Sequence, residues 1–275
     1  MIQIENLAFS YGSSPVLKNI GMKLEEGRIY GLLGENGVGK TTLLTLLCGL
    51  KKPQQGSIVV DDHIPYDREP SLLSMQYYLP DEVAPVHLKA SDWARTNGAF
   101  WPRFDYEKFI TIMGEFENDP SKMMTTMSAG QLKKTYIAFS IATNAKYLYM
   151  DEPTNALDIP GKAQFRSAIL KHTPEDSTIV ISTHQVRDLE NIIDPIIILD
   201  RQEVLVNASL EAIADKLYFD YGNILNENSL YTEQLPGGFI QVYPNVTGIQ
   251  SKVSIEALFN AVHKHKDIIK ALLNN

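Results

Sequence analysis

The sequence predicts an α/β protein, and three observations carry that expectation. Short, wholly or largely apolar segments such as Tyr147–Met150, Thr178–Ser182 and Ile196–Leu199 are bounded by polar loops, as the strands of a buried parallel sheet are. A glycine-rich loop, Gly34 to Thr41, stands between an apolar strand-sized segment and an apolar helix-sized one. Before and after this core the patterning changes, so an antiparallel β subdomain, an inserted helical subdomain and a small C-terminal α+β appendix are expected around it.

Taken in order, residues 1–24 alternate apolar and polar through Ile2, Ile4, Leu7, Phe9, Val16, Ile20, Met22 and Leu24, the period of half-buried strands. Gly12 to Pro15 punctuates them as a turn. Arg28–Leu33 reads as an apolar strand, Thr41–Leu47 as a buried helix and Ser57–Val60 as another strand. From about 84 to 144 aromatics, methionines and turn residues dominate, with helical stretches at Tyr106–Met113 and Gln131–Thr143. That span reads as a helical insertion in a nucleotide-binding domain of residues 1–205. The remainder, 206–275, reads as the appendix. It holds a helix over Leu210–Leu217, a strand over Phe239–Val242 and an amphipathic helix over Ser254–His263. In that helix Ser254 caps the N-terminus and Ile255, Leu258, Phe259 and Val262 share a face.

Composition bounds the function. Lys and Arg number 25 against 33 Asp and Glu, and the net charge of −8 disfavours broad nucleic-acid coating, so no nucleic-acid partner is expected. The single cysteine, Cys48, allows no intramolecular disulfide and reads as a small buried helix residue. The N-terminus lacks the basic and apolar regions of a signal peptide. No apolar run approaches the roughly 18 residues that span a bilayer. A cytoplasmic protein is expected, unless a partner holds it at a membrane.

Gly34-Glu35-Asn36-Gly37-Val38-Gly39-Lys40-Thr41 matches the phosphate-binding P-loop in full, and in the strand–loop–helix context the motif needs. Glycines let backbone N–H groups turn around phosphates, and the following helix directs its positive end at them. Lys40 is expected on the β- and γ-phosphates, and the Thr41 hydroxyl on Mg²⁺. Tyr147 to Glu152 supplies the second metal element. An apolar strand delivers Asp151 to the metal, and Glu152 beside it is placed to polarise an attacking water as general base.

With those residues on the page, Met127-Ser128-Ala129-Gly130-Gln131 resembles the signature loop of the ATP-binding-cassette family. The resemblance covers about residues 1–205 and implies a P-loop NTPase core that binds and hydrolyses ATP with Mg²⁺. It also implies that the signature of one copy closes over the nucleotide held by another, so a homodimer of nucleotide-binding domains is expected. Asn155–Asp158 resembles the family's D-loop, His184 its switch histidine and Tyr11 its adenine-stacking aromatic. The implied nucleotide-contacting residues are Tyr11, Gly34, Asn36, Gly37, Gly39, Lys40, Thr41, Thr42, Ser128, Gly130, Gln131 and Asp158. Glu152 and His184 are the implied catalytic pair, and Thr41, Asp151 and Asp81 the implied metal ligands. Two positions depart from the family pattern. Ala129 replaces a glycine and adds a methyl group to a crowded loop. Asp81, in Tyr77-Tyr78-Leu79-Pro80-Asp81, replaces a glutamine.

The subtype resembles the ATPase subunits of bacterial multidrug, bacitracin or lantibiotic-type exporters, through Trp101–Asp105 and Ser254–Phe259. The implied function is to power a separate integral membrane permease subunit, with this chain peripheral on the inner face of the membrane through that partner. The insertion from Ala84 to Lys122, with Trp93, Phe100 and Trp101 exposed, is the expected docking surface. A non-transport ATPase acting in translation or DNA maintenance is the alternative. Against it stand the single P-loop and the lack of sustained heptads between Thr41 and Ser128. The appendix reads as a packing module capping the core, with a ligand-sensing or dimerising role as the competing reading.

Overall fold

Alternation along the N-terminal stretch produces two long strands, β1 (Ile2–Tyr11) and β2 (Ser14–Leu24), paired antiparallel. The turn between them is only Gly12 and Ser13; Ser14 and Pro15, expected in it, already belong to β2. The structure is a computed structural model and describes residues 1–226 and 228–273. The chain continues through β3 (Ile29–Leu33), α1 (Lys40–Leu47) and β4 (Gln55–Val60) to α2 (Pro70–Leu73) and β5 (Gln76–Leu79). The helical insertion contributes α3 (Ala90–Gly98), α4 (Tyr106–Glu115) and α5 (Ala129–Ala142). The core resumes with β6 (Tyr147–Asp151), α6 (Ile159–His172), β7 (Thr178–Thr183), β8 (Ile196–Asp200) and β9 (Glu203–Ala208). Beyond it lie α7 (Leu210–Lys216), β10 (Leu217–Gly222), β11 (Tyr231–Leu235), β12 (Gly238–Pro244), α8 (Ile255–Lys264) and α9 (Lys266–Leu273).

The central sheet runs β5-β6-β7-β3-β8-β9, parallel except for the antiparallel β8–β9 edge. Every residue of β6, β7 and β8 is buried, which is why these strands read as apolar runs rather than alternations. Because β5, β6, β7 and β3 run the same way, their C-terminal ends meet at one edge, the usual ligand edge of an open α/β sheet. A separate antiparallel sheet, β2-β1-β4, packs its apolar face on α1 and the central sheet through Ile2, Leu7, Leu17, Ile58, Leu43 and Leu47.

In the insertion, Phe109, Ile112 and Met113 of α4 are fully buried against Ile137, Phe139 and Ile141 of α5. Trp93 does not project to solvent as expected. It is only 7% exposed, with its ring 4.7 Å from Tyr136 and 4.6 Å from Phe139, because the first turn of the insertion needs an anchor on α5.

Strand β9 carries the central sheet through Ala208, so the sheet runs past the boundary at 205 that patterning suggests. In the appendix, β10-β12-β11 form an antiparallel sheet covered by α8. Ser254 does cap α8, accepting the Ala257 N–H at 3.2 Å. Ile213, Phe219, Val242, Ile255, Leu258 and Val262 join the same buried cluster as Ile193, Ile196 and Leu205 of the core.

Candidate nucleotide site

The loop after β3 is shaped by sterics. At Gly34 a Cβ would lie 2.6 Å from the Leu199 carbonyl oxygen, and Gly39 turns into α1 at a φ of 113° that side chains strongly disfavour. Helix α1 has no side-chain cap, so its first-turn N–H groups face the loop as an anion-binding end. Lys40 is 6% exposed and donates to the carbonyls of Gly34 at 2.8 Å and Glu35 at 3.2 Å. Its ammonium also lies 3.4 Å from Glu152 Oε1. Asn36 and Gly37 form the exposed tip of the loop.

Thr41 Oγ1 donates to Asp151 Oδ2 at 2.6 Å, so two hard oxygen donors stand side by side where the sequence expects a metal. Asp151 is 1% exposed at the end of β6, and its other oxygen accepts from Ser182 Oγ at 2.5 Å. Tyr78 hydroxyl adds a donor at 3.4 Å. Burial, followed by the Asp151 charge, pushes the Tyr78 phenol well above its usual range, so it stays a donor. Glu152 takes a left-handed backbone, φ 42°, which is uncommon for a residue with a Cβ. Its N–H donates to Ser182 Oγ at 3.0 Å. His184, following β7, brings Nδ1 to 2.9 Å from Glu152 Oε1. The expected catalytic pair is therefore in contact.

Tyr11 ends β1 with its ring half exposed and its hydroxyl 3.3 Å from Thr42 Oγ1. The Lys51 ammonium sits 4.9 Å from the centre of the Tyr11 ring, and the Phe9 and Tyr11 rings meet edge to face at 5.1 Å.

The signature residues lie elsewhere. Ser128 caps α5 in a reciprocal pair with Gln131: Gln131 N–H donates to Ser128 Oγ at 3.2 Å, and Ser128 N–H to Gln131 Oε1 at 3.1 Å. Ser128, Gly130, Gln131, Lys134, Ala156 and Asp158 line a cleft of about 320 Å³ that includes no residue of the phosphate loop. A Cβ on Gly130 would stand 3.0 Å from the Ala156 carbonyl, so this glycine lets the signature lie on the D-loop. Ala129 is exposed, and its methyl group is not crowded within the chain as expected. Asp158 caps α6, accepting from Gly161 N–H at 2.9 Å.

Asp81 is not brought to the Thr41–Asp151 pair. Its Oδ1 accepts from Asn155 Nδ2 at 3.1 Å, and its backbone carbonyl accepts from Lys133 at 2.7 Å. Sequence reasoning also missed Ser182 and Tyr78 as supports of Asp151. The available signal was a polar side chain near the C-terminal end of each strand that flanks β6, since β5 and β7 pair directly with it.

A phosphate loop, an adjacent Thr–Asp oxygen pair and a carboxylate–histidine contact on one sheet edge define a P-loop ATPase. The ABC transporter family profile matches residues 17–155, just over half of the chain, and the chain belongs to that family. It is an ATP-binding, ATP-hydrolysing subunit of an ABC transporter. It is 29% identical to a lantibiotic transport ATP-binding protein of Streptococcus pyogenes, over 70% of this chain and 84% of the relative. It is also 29% identical to a bacitracin transport ATP-binding protein of Enterococcus faecalis, over 71% of this chain and 65% of the relative. In fold it is similar to a dimeric ATP-binding cassette in a post-hydrolysis state with ADP and Pi. The TM-score is 0.66 at 22% identity, covering 76% of this chain and 99% of that one.

Proposed function

We propose that two copies pair head to tail and each trap ATP between the phosphate loop of one and the signature of the other, driving an exporter. The separation of the Ser128–Gly130 cleft from the Lys40–Thr41–Asp151–Glu152 cluster carries this reading, because each chain then holds two complementary half-sites. Lys40 exchanges the loop carbonyls for β- and γ-phosphate oxygens. Gly34, Asn36, Gly37, Gly39 and Thr42 form the rest of the cradle, and Tyr11 stacks on the base. Thr41 and Asp151 hold Mg²⁺, whose chemistry is to neutralise charge on the phosphates. Glu152 accepts a proton from the attacking water, and His184 orients that carboxylate and senses the γ-phosphate. Ser128, Gly130 and Gln131 meet the phosphate on the opposing copy, with Asp158 at the dimer seam.

The chain works beside a membrane-spanning permease subunit at the inner face of the membrane; among its described residues no helix is long and apolar enough to span a bilayer. The permease docks in an open groove of about 530 Å³ lined by Leu50, Leu73, Tyr77, Tyr78, Phe100 and Trp101. Phe100 is 73% exposed there, whereas Trp101 is tied down by its Nε1 donating to the Gln76 carbonyl at 2.9 Å. Arg103 beside it forks onto Asp176 at 3.0 and 3.1 Å.

The test is the mass of Glu152→Gln in solution with and without Mg-ATP, followed by its recovery from detergent-solubilised membranes. Doubling of mass with nucleotide and a co-purifying multi-span protein are expected. A strictly monomeric protein at high concentration, or recovery of ribosomes instead of a permease, overturns the scheme. Uptake rather than efflux by the reconstituted complex overturns the direction.

A further inference from the structure

Lys133 lies in the second turn of the helix that starts at the signature, and it is 2% exposed. A lysine so deeply buried needs partners for its charge. It finds them in the turn after β5, donating to the Pro80 carbonyl at 3.1 Å and the Asp81 carbonyl at 2.7 Å, with Asp81 Oδ1 at 3.9 Å. Burial lowers its affinity for the proton, and the charges of Asp81, Asp151 and Glu152 oppose that. The contact continues onward. Asp81 Oδ1 accepts from Asn155 Nδ2 at 3.1 Å, and Asn155 N–H donates to the Glu152 carbonyl at 3.1 Å. Three separate stretches of chain, α5, the turn after β5 and the turn after β6, are thus linked in series.

The last of these turns carries Glu152 at a φ of 42°. A residue with a Cβ is held in that conformation only where its surroundings over-determine it. Ser182 holds the turn from the β7 side, through the Glu152 N–H. Asn155 holds it from the β5 side, with Asp81 and then Lys133 behind Asn155.

We propose that Lys133 is a positioning residue of the ATPase reaction. Through Asp81 and Asn155 it sets the Glu152 turn, and it couples that turn to the signature at the start of the same helix. Asp81 accordingly serves the D-loop and not the metal. The inference rests on Glu152 being the general base.

Turnover, ATP affinity and thermal midpoint are measured for wild type, Lys133→Met, Lys133→Met combined with Asp81→Asn, and Glu152→Gln. Lys133→Met is expected to lose at least tenfold in kcat while KM for ATP stays within twofold, because Lys133 is outside the nucleotide cradle. Combining it with Asp81→Asn removes the charge left unmatched and keeps an acceptor for Asn155, so kcat recovers to within threefold of wild type. A merely structural lysine would show no such rescue and no kcat-against-KM split. Lys133→Met within twofold of wild type, or a double variant as impaired as the single, overturns the proposal. Where Lys133→Met fails to fold, Asp81→Ala takes its place, removing the acceptor for Asn155. It too is expected to lose kcat tenfold at unchanged KM, and an unchanged kcat overturns the proposal. Hydrolysis retained in Glu152→Gln would instead overturn the general-base reading beneath it.

Discussion

Replacing Ser182 by alanine isolates one hydroxyl that holds both acidic residues of the site. Ser182 is fully buried, donates to Asp151 Oδ1 at 2.5 Å and accepts from Glu152 N–H at 3.0 Å. Its loss leaves one carboxylate oxygen and one backbone N–H short of a partner in the interior. Each such orphan costs about 1–3 kcal/mol, so the two together cost about 4 kcal/mol as a central value. At about 2–4 °C per kcal/mol for a domain of this size, the thermal midpoint should fall by about 8–16 °C. Freed from Ser182, Asp151 can rotate away from Thr41, and the Glu152 backbone loses its anchor on β7. Turnover should therefore drop about tenfold or more, below what unfolding explains at the assay temperature. Differential scanning fluorimetry and steady-state phosphate release measure the two quantities, with Ser182→Thr as a control that keeps a hydroxyl. A midpoint within 1–2 °C of wild type together with turnover within about twofold would refute the reasoning.

Tyr11→Ala should raise KM for ATP about tenfold, the worth of a lost aromatic stack, while Tyr11→Phe, which loses only the contact to Thr42, stays within about twofold. Phe100→Ala should leave the isolated subunit's hydrolysis unchanged and abolish its stimulation by the permease; normal stimulation would move the docking site elsewhere. Burial pushes the Cys48 thiol up to about 11, so at pH 8 only about 0.1% is thiolate. Native protein should therefore resist a thiol-specific reagent until denaturant is added, and modification on mixing would show that α1 opens readily.

Much of this site is legible along the chain because its motifs are local. A phosphate loop needs glycines, a lysine and a threonine within eight consecutive residues, since its donors are successive backbone N–H groups at a helix start. Asp151 and Glu152 are legible for a similar reason, as polar residues closing an apolar strand. Ser254 and the amphipathic face of α8 could be read from helix periodicity alone. The short strands β9, β10 and β11 were not, because over five or six residues periodicity does not separate a strand from a helix or a loop.

What the sequence by itself determined was the phosphate loop, the acidic pair, the family and the order of the motifs, all set by spacing of a few residues. Only the tertiary structure decided that Ser182 and Tyr78 hold Asp151, that Trp93 is an internal anchor, and that Asp81 turns to Asn155 and Lys133. Those relations join residues 31, 73, 46, 74 and 52 positions apart. Parallel-strand register and helix packing bring such residues together, and no local pattern in the chain encodes either one.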